Sequence, residues 1–173
     1  MKRNVFYSFH YEKDVLRVQQ VRNIGKLEGN PPATPNTWEE IKRKGDKEIQ
    51  KWIDENLSGK SCLVVLIGED TSKRKWVKYE IQKAWNDGKG VLGIYIHNLK
   101  DPKSGECRKG DNPFEQFTFE NGSKLSSIVK CYNPKSSDAY NDIADNIEKW
   151  IEEAISIRKK IIIKYSKETY HGK

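Results

Sequence analysis

The stretch SCLVVLIGEDTSKRKWVKYEIQKAWNDGKGVLGIYIH, residues 61–97, decides the fold. Its two ends, 61–68 and 91–97, are nearly continuous apolar and β-branched runs, the pattern of central parallel strands covered on both faces. Between them Val77, Ile81, Ala84 and Trp85 recur at helical spacing. A strand, a helix and a strand joined by short connections imply a right-handed crossover, and with it parallel pairing.

Working outward, 5–9 is a short aromatic and β-branched run that reads as a buried strand starting almost at the first residue. A helix follows it, with Val15, Val18 and Val21 on one side. Segment 25–37 carries three prolines and two glycines, which breaks regular structure and predicts an excursion over the surface. A single helix is predicted over 38–57, where Ile41, Ile49, Trp52, Ile53 and Leu57 fall on one stripe, and Ser58-Gly59 ends it.

Downstream, 98–123 is longer than an ordinary connection. Its Phe114, Phe117 and Phe119 either pin the loop to the core or dock a partner, and pinning is the expectation. Residues 128–132 predict one more strand. Over 138–158, Tyr140, Ile143, Ala144, Ile147, Trp150, Ile151, Ala154 and Ile155 keep helical spacing and predict the longest helix. The succession β, α, excursion, α, β, α, β, loop, β, α predicts one three-layer α/β/α domain over 1–160 with a central, mainly parallel sheet. The tail, 161–173, is left between fraying and a short strand.

Hydrophobic residues make up 35% of the 173 and charged ones 33%, a polar balance, yet five tryptophans and clear periodicity exclude a disordered chain. The net charge of +7 favours anionic partners without choosing among them. The basic clusters at 42–47, 73–83 and 158–164 fall on different helices and match no nucleic-acid-binding motif, which weighs against nucleic acid. Cys62, Cys107 and Cys131 are odd in number and far apart, and neither they nor the three histidines show metal-ligand spacing. No metal is expected. No apolar run reaches the ~20 residues of a membrane span, and the N-terminus has no signal-peptide core. These features together fit a reducing cytoplasm and no membrane.

In open parallel sheets ligands bind beyond the carboxyl ends of the strands. Three such ends are candidates: Ser8-Phe9-His10, Gly68-Glu69-Asp70-Thr71 and His97-Asn98, where His97 is expected to be structural. Thr71 or Ser72 can cap the following helix and leave free N–H groups for a phosphate, with Lys73 and Arg74 adding charge, although no glycine-rich phosphate motif is present. At 100° per residue Glu80 lies on the shoulder of the buried stripe, with Trp76 one turn before it on the same side. These residues leave two roles open for Glu80. One is a carboxylate at a cleft edge acting on a sugar; the other is a salt bridge to Lys83 or Lys75.

The segments VFYSFHYEKD (5–14), GDKEIQKWIDENLSGKSCLVVLIGEDTSKRKWVKYEIQKAW (45–85) and GKGVLGIYIHNLKD (88–101) resemble the bacterial TIR-like proteins typified by ThsB of the Thoeris anti-phage defence system. The resemblance implies a flavodoxin-like fold and an enzyme that cleaves NAD, as substrate rather than cofactor, at the nicotinamide glycosidic bond. The family pattern Trp-Cys-x-x-Glu-Leu stands in register with Trp76-Val77-Lys78-Tyr79-Glu80-Ile81, so the catalytic role carries over to Glu80, with Val77 in place of the cysteine. Phe6, Ser8 and Phe9 occupy the Phe-x-Ser-aromatic part of the family's first strand, with Asn4 where an acid is common. Ser8 and His10 are expected to make polar contacts with NAD and Phe9 to pack on it; Thr71, Arg74 and Trp76 complete the expected substrate-binding set. The resemblance further implies a cyclic ADP-ribose-type product that activates a separate effector, ThsA, a phage-derived trigger protein, and room for a homo-oligomer. The competing function class is a non-catalytic TIR-like scaffold that binds proteins through its helix faces and the 98–123 loop.

Overall fold

In the computed structural model, which describes residues 2–31 and 35–171, the chain opens with β1 (Asn4–Ser8) and α1 (Tyr11–Arg22). A two-residue edge strand, β2 (Glu28–Gly29), precedes α2 (Pro35–Arg43) and α3 (Asp46–Leu57). The crossover expected from 61–97 is β3 (Cys62–Ile67), α4 (Lys75–Asn86) and β4 (Gly90–Tyr95). β5 (Cys131–Tyr132) and α5 (Ala139–His171) complete the chain. All four strand pairings are parallel, and the order is β2-β1-β3-β4-β5.

Every residue of β3 and β4 is buried, as their continuous apolar runs require. Their side chains alternate between two cores. Cys62, Val64 and Leu66 join Leu92, Ile94, Val18 and Val21 of α1, and Ile143, Ile147 and Ile151 of α5 on one face. Leu63, Val65 and Ile67 join Phe6, Leu57 of α3, and Val77, Ile81 and Ala84 of α4 on the other. Phe114 is fully buried in this second core, and Phe117 and Phe119 pack on it half-buried, so the long loop is pinned as expected. The chain turns one way from β1 to β2 and the other way to β3. That reversal opens a crevice at the carboxyl ends of β1 and β3.

Three expectations need correction. The helix predicted over 38–57 is two helices, because Gly45 sits at φ 95° and ψ −179°, a conformation that side-chain-bearing residues essentially avoid. The hydrophobic stripe hid the break, since the eight-residue step from Ile41 to Ile49 spans about two helical turns with or without it. Gly45→Ala is accordingly expected to lower stability by about 1–3 kcal/mol, read as a shifted urea midpoint at unchanged m-value.

The 25–37 excursion holds more order than its prolines suggested: Glu28 and Gly29 pair in parallel with Asn4 and Val5, and α2 starts at Pro35, where a fixed φ suits a first helical turn. Residues 32–34 lie outside the described set.

On α1, Val15 faces solvent, and Asp14 and Arg17 take inward positions beside Val18 and Val21. Arg17 can be buried because every part of its guanidinium finds an acceptor. It donates to Asp14 Oδ1 (2.9 Å), Leu99 O (3.0 Å) and Gly105 O (2.8 Å), tying the 98–123 loop to the helix. Finally, the tail, left open between fraying and a short strand, continues α5 in helical form as far as His171 and adds no strand.

Candidate active site

A cleft opens in the crevice. Phe6 and Glu80 lie among its lining residues with Val77; Phe9, Tyr11, Trp38, Trp52, Arg74 and Trp76 surround them. β1 supplies Phe6 from its middle, α3 brings Trp52, and α4 brings Trp76 and Glu80, one helical turn apart.

Glu80 is 8% exposed, deeper than the helix-shoulder position its wheel angle gave. The salt bridges open to it in the sequence are made elsewhere: Lys83 pairs with Asp87 at 3.2 Å and Lys75 with Asp46 at 2.6 Å. Its Oε2 has no hydrogen-bond partner. Burial away from any cation pushes its carboxyl from an ordinary 4.5 up to about 8, and the neighbouring Ser8 hydroxyl offsets part of that rise. Ser8 Oγ is itself buried without a partner in hydrogen-bonding geometry, so its influence on Glu80 is that of a nearby dipole. A buried carboxyl and hydroxyl with spare hydrogen-bonding capacity beside an open aromatic cleft are suited to a polar ligand.

The other expected residues divide. Phe6, Phe9, Arg74 and Trp76 line the cleft with Glu80. Arg74 is exposed and makes no ion pair within 4.0 Å among the described residues, which leaves a full positive charge at the cleft. Trp76 stands edge-on to Tyr79 at 5.8 Å, and Tyr79 is anchored by its hydroxyl to Asp54 Oδ1 at 2.8 Å.

Ser8, His10 and Thr71 do not line the cleft; Ser8, at the carboxyl end of β1, is buried beneath it. His10 caps α1, its Nδ1 accepting from Lys13 N at 3.4 Å, and burial together with the nearby Arg74 charge holds it below its ordinary pKa. Thr71 is fully buried, and its Oγ1 accepts from Gly68 N at 2.8 Å, which closes the turn after β3. Neither Thr71 nor Ser72 caps α4: residues Thr71–Lys73 form a separate 3₁₀ turn, and Arg74 is the N-cap, without a side-chain hydrogen bond. Sequence reasoning missed Tyr11, Trp38 and Trp52. The available signal was their type, since five tryptophans are many for so polar a chain.

A parallel sheet of order 2-1-3-4-5 with helices on both faces, and a buried glutamate beneath an aromatic cleft at its switch point, define a flavodoxin-like α/β domain of the TIR type. Residues 6–101 match the family described as Thoeris protein ThsB, TIR-like domain, and the chain belongs to that family. It is also 36% identical over 126 residues to the protein named "Putative cyclic ADP-D-ribose synthase ThsB1" of Bacillus cereus (strain MSX-D12). That match takes in 69% of this chain and 65% of the relative's length. Among the described residues no helix is long and apolar enough to cross a membrane.

Proposed function

We propose that this protein is a Thoeris-type TIR enzyme that cleaves NAD between nicotinamide and ribose and closes the remaining ADP-ribose into a cyclic signal for a separate effector, ThsA. The observation that carries this reading is Glu80: a carboxyl buried among aromatic rings, without a cation to pair with, facing an open cleft at the switch point. The relative's name, cyclic ADP-D-ribose synthase, supports the same direction.

In the proposed reaction the bond from the ribose anomeric carbon to the nicotinamide nitrogen breaks, and its electron pair neutralises the pyridinium. The positive charge left on the ribose is oxocarbenium-like, and Glu80 lies where a carboxylate would stabilise it. A second group of the same molecule then bonds to that carbon and releases a proton. Burial raises the Glu80 carboxyl to about 8, so its anion is the minority form near pH 7. As the bond breaks the positive charge passes from the nicotinamide ring to the ribose. A carboxylate set at the ribose attracts it more in the transition state than in the ground state, which is differential binding of the transition state.

The test uses cells. Wild-type protein is co-expressed with phage-derived triggers, and lysates are assayed by mass spectrometry for NAD loss and cyclic ADP-ribose-type products. Loss of NAD together with a cyclic product supports the enzyme; soluble protein with unchanged NAD across several triggers supports the scaffold. Within the enzyme reading, Arg74 serves the diphosphate. Arg74→Ala is expected to raise KM for NAD about tenfold with kcat little changed, as removal of a charge-assisted contact to a non-reacting group should.

A further inference from the structure

Ser8 is the last residue of β1, and alternation along the strand turns it to the same side of the sheet as Phe6, the side that α4 covers with Val77 and Ile81. Its register partner on β3 is Val65, a member of that same apolar core. Ser8 is 1% exposed. Its Oγ and Glu80 Oε2 are both sealed from solvent, and neither has a hydrogen-bond partner among the described residues. Other buried polar side chains are engaged: Asn30 accepts from Tyr7 N and Thr71 from Gly68 N, each at 2.8 Å, and Arg17 donates to Asp14.

The two idle atoms belong to neighbouring groups. Burial disfavours the Glu80 anion, and the Ser8 hydroxyl opposes burial by favouring it. Glu12, Arg22 and Arg74 line the same cleft, yet none of these charges shifts the Glu80 carboxyl. A protonated carboxyl leaves Oε2 idle at modest cost, whereas an anion taken out of water needs a donor. Glu80 lines the cleft with Oε2 sealed, so Oε1 is the oxygen open to it.

We propose that Ser8 is a positioning residue for the reaction: its hydroxyl turns onto Glu80 Oε2 and donates to it once the carboxyl has lost its proton, which holds Oε2 inward and leaves Oε1 to face the ribose. The inference rests on the NAD-cleaving reading of the cleft. The carboxyl proton leaves from the cleft side to water, no bond to carbon changes, and the Ser8 proton stays on its oxygen. Ser8 thus acts on NAD through Glu80 and not by contact, in keeping with its place beneath the cleft. A hydroxyl fixed on a strand and already dry supplies this hydrogen bond with little reorganisation as charge develops on the sugar.

The experiment compares wild type with Ser8→Ala, which removes one oxygen atom and leaves the backbone pairing of β1 intact. In triggered protein, kcat/KM for NAD is followed from about pH 6 to about pH 10. Its midpoint should move up by about one pH unit, so that activity near pH 7 falls about tenfold and returns to within about threefold of wild type at the alkaline end. A second readout needs no turnover. Below about 8 both folded chains keep the Glu80 proton and their urea midpoints differ by a constant; as pH rises through that value Ser8→Ala should become progressively the less stable, because the hydroxyl serves the ionised carboxyl. With Glu80→Gln in both chains this divergence should vanish. A uniform loss of activity with an unmoved midpoint, or a urea difference that stays flat with pH, would overturn the pairing and leave the enzyme reading standing. Wild type that consumes no NAD under any trigger would remove the enzyme reading and with it the part Ser8 plays in turnover, while a urea divergence abolished by Glu80→Gln would still establish the hydrogen bond.

Discussion

Glu80→Gln should cut nicotinamide release at least about 10²–10³-fold while the protein stays folded, because an amide fills the same volume but supplies no negative charge to a cationic transition state. Single-turnover assays on triggered protein separate this loss from weaker binding: kcat falls while KM for NAD changes little. The wild-type enzyme should show the titration itself. Burial keeps Glu80 protonated below about 8, so kcat/KM rises with pH toward that value and then levels, whereas the residual activity of the Gln variant lacks this slope. A Gln variant with wild-type turnover would end the enzymatic reading and leave the scaffold.

The central crossover was legible because β3 and β4 are apolar without interruption and α4 is amphipathic, so period and length gave the same answer. Where the reading failed, a local rule met a tertiary contact. Asp14 and Arg17 look like a solvated helix face until the carbonyls of Leu99 and Gly105 arrive from far along the chain. Thr71 looks like a helix cap, but a tight turn after β3 uses its hydroxyl first. The helical wheel left Glu80 open between a cleft-edge carboxylate and a salt bridge and only the motif chose between them; the wheel places it at the water's edge and knows nothing of the neighbouring elements that bury it. The ring of Tyr11, Trp38 and Trp52 was invisible for a related reason. It joins three helices, and one of its members follows a proline-rich stretch that composition alone reads as loop. Local pattern thus gives the scaffold, while the site depends on which elements the sheet order brings to one edge.

The burial of Glu80 weakens the fold, and this can be measured apart from any activity. In the unfolded chain the carboxyl ionises near 4.5; in the folded chain it does so near 8. Below the lower value both states carry the proton and Glu80 has no effect on pH dependence. Between the two the folded state binds more protons than the unfolded one, so stability falls as pH rises, and above about 8 the full penalty is present. Glutamine has no such titration. Urea denaturation of wild type and Glu80→Gln at pH 4.5, 6 and 8 should therefore give a difference that grows in favour of Gln by roughly 2–4 kcal/mol across the series, the scale expected for a shift of this size after structural relaxation. The other carboxylates titrate alike in both proteins and cancel. Parallel curves for the two would mean that Glu80 is solvated in the folded protein, and an inactive but more stable Gln variant would show that the cleft keeps its carboxyl at the expense of the fold.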